Sequence, residues 1–471
     1  MKVIKIGGSS LKGKETIRDI LALVAERGRG HIIVISALSG ITDRLIDGMT
    51  EALRDEAAIP SIISHLRNKH ILVARHIIQT SKFCRKYTRD LSAHLGQLER
   101  LYYGLNFTGE ITPKIADVIS SFGERLSADL LASALRARGL QATYRMPHKI
   151  GLITDGRFGD ATANLPETAR NLQRNLLPLL KKGMIVFVPG FFGVSETGNI
   201  TTFGRGGSDY SAAVVAAATG AEILEVWKDV PGYMSADPKF VPEAQLIPIL
   251  SYDEAAELSY FGAKILHPRT IEPLRKMKLN IAVKNTLNPD APGSLITSRS
   301  PRVGSLIKSV AHDTGIAILK VHGSGVGARP GILAGVSRAL TEKGINIKSV
   351  VTSQTCISLL LDEKDVDRGY HAIQGLSPRP FMRLEKIEDV ALVGIVGEGL
   401  LHRKGIAARC FTAVANRSVN IEMISMGPSE VALYFIVRTK DLKKAVEAIH
   451  GTFFSALPDE EAKTGPLSPT A

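Results

Sequence analysis

Glycines at 204, 206 and 207, in the run Thr202-Phe203-Gly204-Arg205-Gly206-Gly207-Ser208-Asp209, constrain this chain more than any other stretch. The run follows a buried-strand pattern, Met184–Pro189, and opens into an Ala- and Val-rich helix starting near Tyr210. Strand, glycine turn and helix in that order define a unit of a parallel α/β sheet. The glycines let the backbone turn sharply and approach a ligand closely. The helix N-terminus behind them offers free N–H groups and positive dipole character to an anion. Arg205 adds a fork for a carboxylate or phosphate, and Asp209 sets a negative charge beside it.

The same alternation runs through the first part of the chain. Val3–Ile6 and His31–Ser36 read as short buried strands around a helix over Glu15–Arg27, and Ser211–Thr219 is the helix before a strand at Glu222–Lys228. This predicts an α/β fold with a mostly parallel sheet and ligands at the carboxyl ends of its strands. Residues from about 51 to 105 break the pattern and read as a charged helical insertion. Asn, Pro, Gly and Ser cluster at Asn285–Arg302 and mark a boundary. Beyond it an internal repeat appears: Arg329–Ile347 and Arg403–Ile421 align at one offset, with identities at Arg, Gly, Ile, two Ala, Asn and Ile. Each copy reads as an α+β unit, the first with a strand at Ile316–Val321, a helix over Gly331–Lys343 and strands at Ile345–Val351 and Cys356–Leu361. A strand at Val303–Val310 can belong to the second copy, which makes the first an insertion within it. The expected division is 1–290, 303–375 and 388–455, with a disordered tail at 458–471.

Among 471 residues, 44% hydrophobic and 22% charged, no apolar run reaches the ~18 residues that span a bilayer. The chain starts directly on a strand, which leaves no room for a signal peptide. Cys84, Cys356 and Cys410 lack metal spacing and read as reduced thiols of a cytoplasmic protein. The net charge of +13 invites a nucleic-acid reading, but the basic residues are dispersed among acids, with much of the excess in Lys69–Arg100. Attraction of small polyanions, or plain surface solubility, explains the charge as well.

Other short runs carry chemistry. Lys5-Ile6-Gly7-Gly8-Ser9-Ser10 ends the first strand with a point charge and exposed backbone N–H groups, suited to a phosphoryl group; an ordinary strand-ending turn would look the same. Ser36–Asp43 offers small hydroxyl residues to a polar substrate, or a helix cap from Ser39 or Thr42. Glu124, in Phe122-Gly123-Glu124, is either a surface acid or the partner of an ammonium group. Lys264, in Phe261-Gly262-Ala263-Lys264, can reach into a cleft, whereas His267 before a proline reads as structural. Trp227–Gly232 ends a strand in a turn, a common place for nucleotide contacts.

Together and in order, these motifs closely resemble those of the aspartate kinases, a branch of the amino-acid kinase family, over nearly the whole chain. The resemblance implies a three-layer amino-acid kinase-like sandwich followed by two ACT (ferredoxin-like) regulatory domains. It implies transfer of the ATP γ-phosphoryl group to the β-carboxylate of L-aspartate, with Mg²⁺. No second nucleotide-binding region follows the second repeat, so no fused dehydrogenase is expected. Lys5, Asp209 and Lys264 would be catalytic. Ser36, Thr42, Glu124, Phe191, Arg205, Gly206, Gly207 and Ser208 would hold aspartate, Arg205 on its α-carboxylate and Glu124 on its ammonium. Lys5, Gly7, Gly8, Ser9, Lys228, Asp229, Met234, Lys239 and Lys264 would contact the nucleotide. Ile6, Ser9, Met234 and Lys239 depart from the usual family residues; the last two bear on adenosine packing and phosphate grip.

Because a carboxylate is already ionised at neutral pH, its reference pKa being about 3.9, the reaction needs no general base. Gly331, Ile332, Ile347 and Ser353 are effector-pocket candidates, and Lys348, where a lysine-inhibited relative carries an acid, favours threonine over lysine. A homodimer or dimer of dimers through the ACT domains is expected, without nucleic-acid or membrane partners. The rival readings are another amino-acid kinase, acting on glutamate, acetylglutamate or a nucleoside monophosphate, a non-catalytic amino-acid sensor, and a nucleic-acid-binding protein.

Overall fold

The computed structural model describes residues 1–263, 265–299, 306–326 and 329–454, so the expected tail lies outside the described residues. The chain forms two units. The first comprises Met1–Tyr233, Pro248–Ala256 and Lys264–Ser300, and the second the remainder.

In the first unit the strands are, in chain order, β1 (Val3–Ile6), β2 (Ile32–Ile35), β3 (Ala142–Tyr144), β4 (Ile153–Thr154), β5 (Ile185–Pro189), β6 (Phe192–Ser195), β7 (Ile200–Thr202), β8 (Leu224–Lys228), β9 (Ile249–Ser251), β10 (Ile281–Asn285) and β11 (Ser294–Thr297). Eight of them form one sheet in the order β3-β5-β2-β1-β8-β10-β11-β9. Every pairing in it is parallel except β10–β11. β4, β6 and β7 form a small second sheet.

Side chains alternate along a strand, so β1 divides its residues between two faces. Ile4 and Ile6, with Ile33 and Ile35 of β2, join a core cluster with the helices α1 (Lys14–Arg27), α2 (Ile41–Arg54), α3 (Ile59–Ile77), α4 (Ser81–Thr108), α5 (Pro113–Ser120) and α6 (Phe122–Ala137). α3 and α4 are the helices expected between residues 51 and 105. They bury an apolar stripe that includes Ile62, Leu66, Leu91, Leu95, Leu98 and Tyr102 against that core. Val3 and Lys5 face the other way. There, after α7 (Pro147–Ile150), α8 (Leu165–Asn175) and α9 (Leu177–Lys181), lies α10 (Gly207–Thr219), which packs on β1, β2 and β8. Its Ala- and Val-rich sequence has no polar face, and nearly every residue from Gly207 to Ala218 is buried. The result is the mostly parallel α/β sheet that the alternation predicts, in the three layers that the resemblance implies. α10 starts three residues earlier than the apolar pattern suggests, which puts Ser208 and Asp209 inside its first turn.

The second unit carries a six-stranded antiparallel sheet of β12 (Ser309–His322), β13 (Ser349–Thr352), β14 (Cys356–Asp362), β15 (Arg383–Val396), β16 (Met423–Met426) and β17 (Ala432–Arg438), in the order β13-β14-β12-β15-β17-β16. Two long strands serve both repeats. Ile316–His322 of β12 pairs with β14, and opposite it run Arg383–Ile387 of β15, completing the first repeat. Ser309–Asp313 pairs instead with Leu392–Val396, beside β17 and β16, completing the second. The first repeat is thus inserted in the second, and the strand responsible runs over 309–313 rather than 303–310; residues 303–305 lie outside the described residues.

The duplication extends to backbone detail. Gly331 and Gly405 each precede a repeat helix with φ of +90° and +84°. Gly344 and its counterpart Ser418 both adopt positive φ, +65° and +55°. The strand expected from Ile345 starts only at Ser349, because Ile345 first closes the preceding helix through its amide to the Leu340 carbonyl.

Phe261, also in this unit, lies on Gly394 of β15: a Cβ there would stand 2.4 Å from the ring. Gly394→Ala should therefore destabilise the second unit by about 1–3 kcal/mol, the usual cost of overpacking. Urea unfolding of this variant beside Phe261→Leu/Gly394→Ala, in which the smaller side chain restores the space, checks the origin of the loss.

Candidate functional site

Lys5 sits in mid-strand among apolar residues, 4% exposed, on the α10 face of the sheet. A lysine is buried this deeply only when paired. Its ammonium meets Oδ1 of Asp209, in the first turn of α10, and Lys228 at the end of β8 approaches Oδ2 of the same carboxylate at 3.7 Å. Burial alone would raise the carboxyl pKa of Asp209, but the two ammonium groups outweigh it and hold the pKa below its ordinary value. Burial lowers the pKa of Lys228, Asp209 opposing. Adjacent parallel strands and one helix N-terminus thus converge two cations on one anion.

The first glycine turn behaves differently from expectation. The Gly7 amide is not exposed; it donates to the Trp227 carbonyl at 3.2 Å. A Cβ on Gly7 would stand in ordinary contact with Lys5 Nζ at 3.5 Å, and one on Gly8 with the Ala37 carbonyl at 3.4 Å, so the turn packs closely against both. Ser9 donates to Asp229 Oδ1 at 2.7 Å, tying this turn to the one after β8.

Ser36 is buried at the end of β2, its amide bonded to the Ile6 carbonyl. Neither Ser39 nor Thr42 caps the helix that follows; Gly40, with φ of +75°, takes that position without a side-chain bond. Gly123 lets α6 approach this segment, as a Cβ would fall 2.7 Å from Ala37 Cβ and 3.5 Å from Thr42 Oγ1. Glu124 follows, 3% exposed. Its Oε1 accepts from Ser208 Oγ at 3.2 Å, while Oε2 is buried without a hydrogen-bond partner among the described residues. Burial pushes this carboxyl up to about 7; the nearby amides of Ala37 and Glu124 itself, Ser208 and Lys5 pull in the opposite direction. The surface-acid reading of Glu124 therefore fails.

Phe191 adopts φ of +76°, rare and strained for a bulky residue. It is pinned by the Ser211 hydroxyl, which accepts from its amide at 2.8 Å, and by the Phe203 amide, which donates to its carbonyl. A Cβ on Gly207 would collide with its ring at 2.8 Å. Arg205 is exposed and makes no ion pair among the described residues. Gly206, φ +72°, lies against His267, whose Nδ1 accepts from the Arg269 amide and caps the next turn.

Ser36, Thr42, Glu124, Phe191 and Arg205–Asp209 thus belong to contiguous walls of one region of the first unit, joined to Lys5, Gly7–Ser9, Lys228 and Asp229. Met234 and Lys239 fall in the second unit, where the Met234 carbonyl accepts from Ser309 and the Lys239 amide donates to Asp237. Lys264 lies outside the described residues. Of the effector candidates, Gly331 and Ile332 open a helix, Ile347 packs on the first repeat's core, and Ser353 closes the β13–β14 turn by accepting from the Cys356 amide.

Sequence reading missed three supporting residues. Lys69, on insertion helix α3, donates to the Ser39 carbonyl and so braces the segment before Thr42. Asp117 accepts from the amides of Gly159 and Thr202 and from the Thr202 hydroxyl, at 2.7–2.9 Å. Arg269 binds Asp160, the Phe203 and Ala161 carbonyls and Thr162, and covers the Tyr210 ring at 4.6 Å. Only Arg269 adjoined a visible motif; the others act across 30 or more residues of sequence.

A buried cation pair on an acidic helix start, beside an orphaned carboxylate oxygen, defines a site for anionic small molecules in a parallel α/β domain. Residues 1–285 match the amino acid kinase family, and 311–374 and 393–453 each match an ACT domain. Over 468 residues the chain is 33% identical to aspartokinase 1, chloroplastic, of Arabidopsis thaliana, covering 96% of this chain and 80% of that protein. It also resembles E. coli aspartokinase III, in complex with aspartate and ADP (TM-score 0.80, 28% identity, 96% of this chain and 100% of the other) and in complex with lysine and aspartate (TM-score 0.81, 28% identity, 96% and 99%). This chain belongs to the amino acid kinase family, in its aspartokinase branch. Among the described residues no helix is long and apolar enough to cross a membrane.

Gly206→Ala should cost about 2–3 kcal/mol, the sum of left-handed strain and the clash with His267, where a Cβ would come within 2.4 Å. In a double-mutant cycle with His267→Gly, which removes the clashing Cβ that alanine would keep, read by urea unfolding, the clash component should vanish and the strain component remain.

Proposed function

We propose that this chain transfers the γ-phosphoryl group of ATP to the β-carboxylate of L-aspartate, giving 4-phospho-L-aspartate and ADP. The observation that carries the reading is Glu124 Oε2, a buried carboxylate oxygen without a hydrogen-bond partner among the described residues, on a side chain bonded to Ser208. Its neighbour Asp209 anchors Lys5 and Lys228. An ammonium group is the partner such an oxygen lacks, and it would seat an amino acid one residue from the buried cations. Arg205, without an ion pair among the described residues, would take the α-carboxylate in a bidentate fork.

The attacking β-carboxylate oxygen forms a bond to the γ-phosphorus while the bond from that phosphorus to the β,γ-bridging oxygen breaks, and ADP leaves with the electron pair. The carboxylate is already ionised, so the protein's task is to bring two anions together. Lys5 and Lys228 offset the charge on the phosphates, and Asp209 holds both ammonium groups in place without reorganisation. Among the described residues no cluster of three acidic, His or Cys side chains forms a metal cage. Mg²⁺ would enter on the nucleotide phosphates, as it does where one or two carboxylates and substrate oxygens hold it, and would neutralise phosphate charge there. Lys264, Met234 and Lys239 complete the nucleotide contacts that the family resemblance implies.

The ACT repeats support feedback by an end-product amino acid and assembly through these domains. Lys348 is a fixed cation between Asp313 at 2.8 Å and Asp362 at 3.0 Å, which favours threonine over lysine as effector.

Trapping the acyl phosphate with hydroxylamine should give aspartyl hydroxamate with aspartate and none with glutamate. Lys5→Met should lower kcat by about 10²–10³, the usual cost of removing one donor to developing charge, with little change in the KM for aspartate. Near-normal turnover at saturating ATP would overturn the assignment.

Glu124 must be ionised to bind an ammonium, and in the free protein its pKa is raised to about 7 by burial. The KM for aspartate should therefore fall about tenfold from pH 6 to pH 8 as the carboxylate forms. Glu124→Gln should flatten this profile and raise the KM by about 10–100-fold.

A further inference from the structure

The catalytic reading leaves the basic excess around the helical insertion unused. A cavity of about 790 Å³ opens where α4, α6, the C-terminal end of β3, and the helices α7 to α9 meet. It is separate from the site above: β3 is the edge strand, three places from β1, which is about 14 Å at the ordinary strand spacing.

Five cations line it: Lys86, Arg136, Arg145, Lys149 and Arg174. Its two acids already have partners. Asp90 pairs with Arg89 at 3.5 Å, and buried Asp129 accepts from Ser133 at 3.3 Å with Arg136 at 3.7 Å. Lys86, Arg145, Lys149 and Arg174 make no ion pair among the described residues, so the lining carries uncompensated positive charge. The Arg145 guanidinium is held in direction by one nitrogen, Nη1, which donates to Thr143 Oγ1 at 2.9 Å and to the Tyr144 carbonyl at 3.0 Å. The rest of its fork is left for a ligand. Tyr144, Met146 and Leu179 add a less polar wall. The volume suits a small metabolite, and planar guanidinium forks match phosphate oxygens better than isolated charges do.

We propose that this cavity is a second ligand site, which binds a phosphorylated small molecule carrying at least two negative charges. It gives the insertion a role, since Lys86 on α4 forms part of one wall. Such binding goes beyond the kinase reaction and does not depend on it.

The test is calorimetric titration of the full chain at 0.1 M salt with ADP and aspartate saturating. Inorganic pyrophosphate, fructose 1,6-bisphosphate and citrate are the probes. One added site per chain with submillimolar affinity for a phosphate probe is expected. It should be weakened at least tenfold in Lys149→Glu/Arg174→Glu, both exposed positions, and separately in Arg145→Gln, with kcat in the absence of probe unchanged. Tighter binding of the bisphosphate than of pyrophosphate identifies an organic phosphate; the reverse identifies a free phosphate chain. The proposal is overturned by the absence of an added site, by affinity indifferent to both variants, or by citrate binding as well as the phosphates. It also fails if a 20-nucleotide single-stranded RNA binds more tightly than every small anion and loses that binding in the same variants.

Discussion

The ion cluster of Lys5, Asp209 and Lys228 is the interaction on which the first unit is organised. Taking three charges out of water is costly and is offset only when geometry and pairing are good. Here β1, β8 and α10 supply that geometry at once, because the parallel register brings Lys5 alongside Val226 and Ile6 alongside Trp227. Removing Asp209 would leave two buried ammonium groups side by side without their shared counter-charge. Stability and the positive charge offered to an anion therefore rest on the same three side chains.

The layer architecture was legible because it rests on short-range periodicity. β1, β5 and α10 each announce themselves within a few residues, and the glycine turn between β7 and α10 ties them together. The repeat was legible because duplication leaves aligned identities. The strand exchange between repeats was only partly so, since Ser309–Asp313 declares itself through its partner Leu392–Val396, about eighty residues away. Position within the site was harder. Glu124 gives no local sign of burial; its fate is set by Gly123 lying against Ala37. The Gly7 amide was read as free, but a parallel neighbour, Trp227, takes it. Lys69 and Asp117 brace the site through contacts that no spacing rule describes.

Strain and orphaned polarity fall in one place. Phe191 in the left-handed region and Glu124 with an unmatched oxygen both flank the first turn of α10, and each is held by a residue of that turn or the next, Ser211 and Ser208. A helix whose own interior is nothing but small apolar side chains thus fixes two unfavourable arrangements at its start. Its close packing against the sheet is what makes that start rigid enough to hold them.

The sharing of β12 and β15 between the two repeats also has a genetic consequence. The first repeat enters after Asp313 and leaves before Val390, at points that lie side by side where Ile316 faces Val390. It can be exchanged as a cassette without cutting the second repeat's sheet. The second has no such freedom: its outer strand is encoded ahead of the first repeat and the rest behind it. A break between the repeats in sequence would strip the second of Ser309–Asp313 and the first of Arg383–Ile387. The pairing thus leaves the inner module separable and ties the outer one to its frame.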